Sequence, residues 1–133
     1  MSLNWKPSFS MLALIMGTLA SRSLLIRMLP FGVVIIGSPN VNAGYKLVHN
    51  AAYPQIATDY ERTWRVLKSL PCDIFLGAHG DYFGLVEKYP RFKEGNPNPF
   101  IDPDGYKKYV AQKEKDFYAE LKKQEEAAQA ATR

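Results

Sequence analysis

His79 is the residue of this 133-residue chain best placed to do chemistry. It follows Pro71-Cys72-Asp73-Ile74-Phe75-Leu76-Gly77-Ala78, an apolar run bounded by proline and glycine, and it precedes Gly80-Asp81. Such a run reads as a short core strand over residues 74–76 that ends in a small-residue turn. A histidine at the C-terminal end of a buried strand stands where an α/β scaffold presents ligands and catalytic groups. Read from the residues alone, His79 is either a metal ligand or an ordinary loop histidine. Its possible companions are Asp81, two residues on, and Ser38, which stands with Asn40 just after an earlier strand. Both of these also suit a turn, where each would bond its own backbone.

The rest of the inventory excludes more than it offers. Cys72 is the single cysteine, so neither an internal disulfide nor a cysteine-based zinc site can form. It precedes a buried strand and reads as a structural thiol. The second histidine, His49, lies in a polar connection and reads as a surface loop residue. The sequence has no His-x-His pair, no glycine-rich phosphate loop and no Gly-x-Ser-x-Gly elbow. The net charge of +4 is concentrated at the start: residues 1–32 hold Lys6, Arg22 and Arg27 and no acid, while 14 basic and 13 acidic residues nearly balance in the remainder. The body therefore offers no basic face for nucleic acid.

The elements that must position these residues follow from patterning. Gly32-Val33-Val34-Ile35-Ile36-Gly37 is a β-branched run between glycines, expected as a fully buried strand. The turn-rich Ser38-Pro39-Asn40-Val41-Asn42-Ala43-Gly44-Tyr45 follows it. A helix is expected from Tyr53-Pro54 to about Leu70, with Ile56, Tyr60, Thr63, Leu67 and Leu70 as its core stripe, Trp64 beside them and Pro71 as its stop. Residues 82–93 are expected to give a short helix broken at Pro90. Asp102-Pro103, an N-cap followed by proline at the first position, opens the last helix, with Tyr106, Tyr109, Val110, Phe117 and Leu121 on its apolar face. Residues 124–133 are expected to fray.

Residues 1–32 differ in character. Lys6, the uncharged run from Pro7 to Ser21 and a Thr18-Leu19-Ala20 end have the arrangement of a secretory signal over residues 1–20. The uncharged run is too short to span a bilayer, which takes about 20 apolar residues. An ordinary buried or amphipathic helix is the alternative. Residues 21–32 have no functional reading.

From Val33 to Lys123 the chain resembles the C-terminal part of the class B metallo-β-lactamases of the third subclass. Four blocks in order carry the resemblance. Val34-Ile35-Ile36-Gly37-Ser38-Pro39-Asn40-Val41-Asn42-Ala43-Gly44-Tyr45-Lys46-Leu47 resembles a strand and its substrate loop. Tyr53-Pro54-Gln55-Ile56-Ala57-Thr58-Asp59-Tyr60 resembles a helix opening, and Leu70 to His79 resembles the strand bearing the last metal ligand. Asn98-Pro99-Phe100-Ile101-Asp102-Pro103, with Phe117-Tyr118-Ala119-Glu120-Leu121, resembles the terminal helix.

The resemblance implies an α/β fold, a partial αβ/βα sandwich consisting of a few strands and flanking helices. Residues 33–133 would be its C-terminal half, and residues 1–32 a signal-like or unmatched segment. It implies that His79 is a ligand of the second zinc, and that Ser38 and Asn40 lie near the substrate's carboxylate or its ordered water. It also implies hydrolysis of a β-lactam by zinc-bound hydroxide, hence antibiotic resistance. Export to the periplasm or beyond follows if residues 1–20 act as a signal. The family's His-x-His-x-Asp-His motif and its further histidine do not occur in these 133 residues. Some members pair a cysteine at the position of Cys72 with one near the last helix; this chain has no such partner.

The expectation is therefore a truncated chain, inactive alone. An upstream half-domain, or self-association through exposed sheet edges, would complete it. Two other functions remain open: a small non-catalytic α/β module that binds a partner, and another hydrolase of the same fold, such as a lactonase or thioesterase.

Overall fold

A computed structural model describes residues 13–14, 23–28, 31–94 and 97–132, with side chains from residue 31 onward. The signal-like stretch lies outside the described residues apart from Ala13–Leu14. Those two form strand β1, which pairs antiparallel with β2 (Ser23–Met28). β2 in turn pairs antiparallel with β3 (Phe31–Ile36), from Ser23 against Ile36 to Met28 against Phe31. The segment 21–32, without a role in the sequence reading, thus contributes a strand to the sheet.

The chain then crosses over through helix α1 (Ile56–Ser69) to β4 (Ile74–Gly77), which lies parallel to β3. Parallel neighbours cannot be joined by a tight turn, and a helix is the usual crossover. The sheet order is β1-β2-β3-β4. A 3₁₀ turn (Gly80–Phe83), helix α2 (Leu85–Lys93) and helix α3 (Pro103–Ala131) complete the described elements.

The core forms where one sheet face meets α1 and α3. Val34, Ile36 and Phe75 come from the sheet, Ile56, Tyr60, Trp64 and Leu67 from α1, and Tyr106, Val110 and Phe117 from α3. Tyr60 and Phe117 stack with ring centroids 5.1 Å apart, and Trp64 lies 6.2 Å from Phe117. Of the expected α1 stripe, Ile56, Tyr60 and Leu67 are buried and Trp64 joins them; Thr63 is half-buried with its hydroxyl on the Asp59 carbonyl, and Leu70 is the extended C-cap ahead of Pro71. Tyr106 can be buried because its hydroxyl donates to the Leu67 carbonyl at 2.7 Å.

Three expectations fail. Tyr82 and Phe83 belong to the 3₁₀ turn, and the helix expected from residue 82 begins only after Gly84, at Leu85. Pro90 does not break the helix it lies in: α2 runs from Leu85 through Pro90 to Lys93. The helix is short, and the Glu94 N–H still closes on the Pro90 carbonyl at 3.2 Å, so the lost donor disturbs only one turn. The end of α3 does not fray at residue 124 but continues to Ala131. Gln124 anchors it, since its Oε1 accepts from Leu47 N at 2.7 Å and its Nε2 donates to the Tyr45 carbonyl at 2.9 Å. The alanine-rich sequence beyond has high helix propensity. At the other end the expected cap is present: Asp102 Oδ1 accepts from Gly105 N at 2.8 Å, with Pro103 in the first turn.

Candidate functional site

The parallel register sets Ile36 against Gly77, so β3 and β4 finish side by side. The Ala78 N–H donates to the Ile36 carbonyl at 3.0 Å and extends the pairing one residue past the strand. The Ser38–Asn40 segment and the His79 turn therefore leave the same edge of the sheet. In α/β sheets that edge, at the carboxyl ends of the strands, is where ligands collect.

His79 is exposed and extended, with φ −124° and ψ 142°. Its imidazole meets the Tyr82 ring edge-on, with centroids 5.1 Å apart. Tyr82 reaches this place because the turn folds back on the strand. The Tyr82 N–H donates to the His79 carbonyl at 3.2 Å, and the Tyr82 side chain lies directly on Gly77. A Cβ at Gly77 would come within 2.8 Å of the Tyr82 ring, so glycine is required for this approach. Gly84, at φ 68°, then turns the chain into α2.

The residues of the loop after β3 behave differently from one another. Pro39 is buried and seats the loop against the core. Asn40 does not bond its own backbone as a turn residue would. Its Nδ2 donates to the Tyr82 hydroxyl at 3.2 Å, and its carbonyl accepts from the Tyr60 hydroxyl at 3.0 Å. Ser38 is exposed at the same strand end and is not part of that network. Asp81 is exposed, and His49 is an exposed loop residue held at φ 52°. Asn40 also lines a cleft of about 650 Å³ between residues 39–44 and α3, with Asn42, Lys113, Phe117, Glu120 and Lys123.

Burial shapes the phenols around the site. Desolvation pushes Tyr60 up to about 12, with Tyr45 and Tyr53 adding to the shift. Desolvation also raises Tyr109, which packs 5.3 Å from Tyr82, and the nearby charge of Asp81 contributes to this. Both phenols stay neutral at physiological pH. Cys72, half-buried, is raised to about 11 by desolvation above all. It is a protonated structural thiol, as its position ahead of a strand suggests.

Among the described residues no group of three or more His, Cys, Asp and Glu side chains could hold a metal ion. Zinc takes three or four protein ligands. His79 alone does not fit a complete zinc site, and no reaction step can be built from these residues through a metal. The feature that sequence reasoning missed is Tyr82, read only as the start of a helix. Its one signal is an aromatic three residues beyond His79, within reach of one turn.

No family model matches the chain, and no curated protein sequence does. Solved structures do. The chain is similar to the native FEZ-1 metallo-β-lactamase from Legionella gormanii, with 50% identity and a TM-score of 0.72 over 79% of this chain and 41% of that one. It is similar to a metallo-β-lactamase from Cronobacter sakazakii described by its HARLDQ motif, with 34% identity and a TM-score of 0.73 over 77% of this chain and 40% of the other. It is also similar to BJP-1, a subclass B3 metallo-β-lactamase of Bradyrhizobium japonicum, with 29% identity and a TM-score of 0.65 over 81% and 41%. The chain spans about two fifths of the length of the structures it matches. Its blocks, its mixed sheet with flanking helices and these matches agree, and the chain belongs to the class B metallo-β-lactamases of the third subclass.

Proposed function

We propose that these 133 residues are the C-terminal half of a zinc-dependent β-lactamase domain and do not hydrolyse a β-lactam by themselves. In this reading His79 occupies an inherited metal-ligand position, and Ser38 and Asn40 face the carboxylate of the β-lactam. Residues 33–133 are the family portion, and residues 1–32 are an added segment. The observation that carries the proposal is the parallel pairing of β3 with β4, which brings the Asn40 loop and the His79 turn to one sheet edge. Inactivity follows from the donor set: one imidazole where a catalytic zinc takes three protein ligands.

The test is an assay of the purified chain with added zinc on a penicillin and a cephalosporin. Turnover no faster than with zinc alone is expected. Turnover that His79→Ala abolishes overturns the claim of inactivity. The same assay on a lactone and a thioester addresses the related hydrolase activities.

A second reading, in which the chain acts by joining another polypeptide, is favoured by the position of β4. It stands at the end of the described sheet, where Ile74 makes an isolated bridge to Ile101. Unpaired strand edges recruit further strands. The partner in this reading is an upstream half-domain or a second copy of the chain, and light scattering after size exclusion discriminates: a monodisperse monomer counts against the second copy. Residues 1–20 are proposed to direct export. A processed N-terminus in periplasmic or secreted protein supports this, and an intact one rejects it.

A further inference from the structure

We infer that Tyr82 is a positioning residue that couples the substrate loop to the metal-ligand turn, so that Asn40 and His79 are held as one unit. The inference rests on the reading of those two residues proposed above, but its geometry stands by itself. The Tyr82 ring is fixed on three sides: by Gly77 beneath it, by His79 edge-on at 5.1 Å and by Tyr109 at 5.3 Å. Its hydroxyl accepts from Asn40 Nδ2 at 3.2 Å, across 42 residues of sequence. The Asn40 backbone is pinned separately by the Tyr60 hydroxyl at 3.0 Å, and Tyr60 is buried in α1.

Asn40 is thus held at its carbonyl by the core and at its amide nitrogen by the turn that bears His79. The amide has two N–H groups and one oxygen. With one N–H committed to Tyr82, the amide plane is set, and the second N–H and Oδ1 remain for a ligand in the cleft that Asn40 lines. Without the hydroxyl the amide is free to rotate, although the backbone stays in place. The arrangement also predicts reciprocity: what loosens Asn40 must loosen the turn equally.

The test uses Tyr82→Phe and Asn40→Ala in the full chain, followed by NMR and hydrogen exchange. Tyr82→Phe keeps the ring contacts and removes only the hydroxyl. It is expected to shift the Asn40 side-chain amide signals and to speed exchange of the Tyr45 amide, which closes the loop on Asn42, by about fivefold, the factor that corresponds to one hydrogen bond. The melting temperature is expected to fall by no more than about 5 °C. Asn40→Ala, which leaves the turn sequence intact, is expected to speed exchange of the Tyr82 amide by a similar factor, and the double variant to add nothing further.

Unchanged Asn40 signals in Tyr82→Phe, or a Tyr82 amide indifferent to Asn40→Ala, overturns the inference. So does a uniform rise in exchange across the sheet with a lowered melting temperature, because that marks a merely structural tyrosine. None of these readouts involves turnover. A failed coupling therefore leaves the β-lactamase reading standing, and unexpected turnover leaves the coupling standing.

Discussion

Asp73 and Gly32 bond each other twice: Gly32 N donates to Asp73 Oδ2 at 2.7 Å, and Asp73 N donates to the Gly32 carbonyl at 2.8 Å. The Asp73 carbonyl also accepts from Asp102 N at 2.9 Å. One aspartate therefore joins the start of β3, the approach to β4 and the N-cap of α3. Asp73→Ala removes a charge-assisted acceptor and is expected to lower stability by about 1–3 kcal/mol. Asp73→Asn, which keeps an acceptor oxygen, is expected to recover most of that. Urea midpoints for the two variants provide the check, and equal losses in both would reject the geometric account.

Phe117 is the centre of the aromatic cluster, stacked on Tyr60 and in contact with Trp64. Phe117→Ala leaves a cavity between α1, α3 and the loop after β3, at a cost of about 3–5 kcal/mol. Phe117→Leu fills much of it and costs less. Chemical denaturation measures both, and in a Trp5→Phe background tryptophan fluorescence reports the loss of the neighbour of Trp64.

The C-terminal half of α3 depends on Gln124, which bonds both Leu47 N and the Tyr45 carbonyl. Gln124→Ala is expected to cost about 1–2 kcal/mol, because Leu47 N is left without its partner. Hydrogen exchange should then rise from residue 122 to residue 131 and at Leu47, while β3 and β4 keep their protection. Exchange that rises equally everywhere would show that Gln124 does not act locally.

At alkaline pH the buried phenols decide the outcome. Tyr60 is raised to about 12 by burial, whereas the same phenol in the unfolded chain ionises near its ordinary value of 10. Its contribution to stability is complete below pH 10 and is lost as the pH rises from 10 through 12, because only the unfolded state releases the proton. Tyr106 and Tyr109 are raised in the same direction, again by burial first. Melting temperatures should therefore fall steeply above pH 10, and Tyr60→Phe should show a shallower fall over that window. An alkaline limb of unchanged slope in Tyr60→Phe would reject the assignment.

At acid pH the Lys88–Asp102 pair takes over. Lys88 Nζ lies 2.7 Å from Asp102 Oδ2, and its hydrogen bond is the first cause holding the carboxyl below its ordinary range; burial opposes this, and the Gly105 N–H assists. A depressed carboxyl contributes stability above the unfolded carboxylate range and loses it as the pH falls through the lowered value. Lys88→Met should reduce stability at neutral pH and flatten the acid limb. Pairs of this partly exposed kind contribute at most about 1 kcal/mol. Stability curves from pH 2.5 to 7, at low and high salt, provide the measurement.

Periodicity and punctuation made much of the described fold legible. The Val33–Ile36 strand, the α1 stripe ended by Pro71, and the Asp102-Pro103 start of α3 each follow from local rules of side-chain spacing and capping. His79 at a strand end, and Asn40 in a turn-rich loop, were likewise visible as candidates. Two elements were misread for physical reasons. Pro90 looked like a helix breaker, but a short helix loses only one bond to it, and the tail after Lys122 looked free because its anchor, Gln124, bonds residues more than 70 positions away.

By itself, then, the sequence determined which residue types exist: two histidines, one cysteine and no His-x-His pair in these 133 residues. It also determined where strands and helices start, because those depend on neighbours a few positions apart. Tertiary structure alone decided that β3 and β4 run parallel and end together, and that the Tyr82 hydroxyl meets Asn40 rather than solvent. It likewise decided that the helical tail closes on the loop before α1. These relations join residues separated by tens of positions, and chain connectivity alone does not specify such pairings. They arise only when the sheet, α1 and α3 bury a common core and bring the loops at its edge within hydrogen-bonding distance.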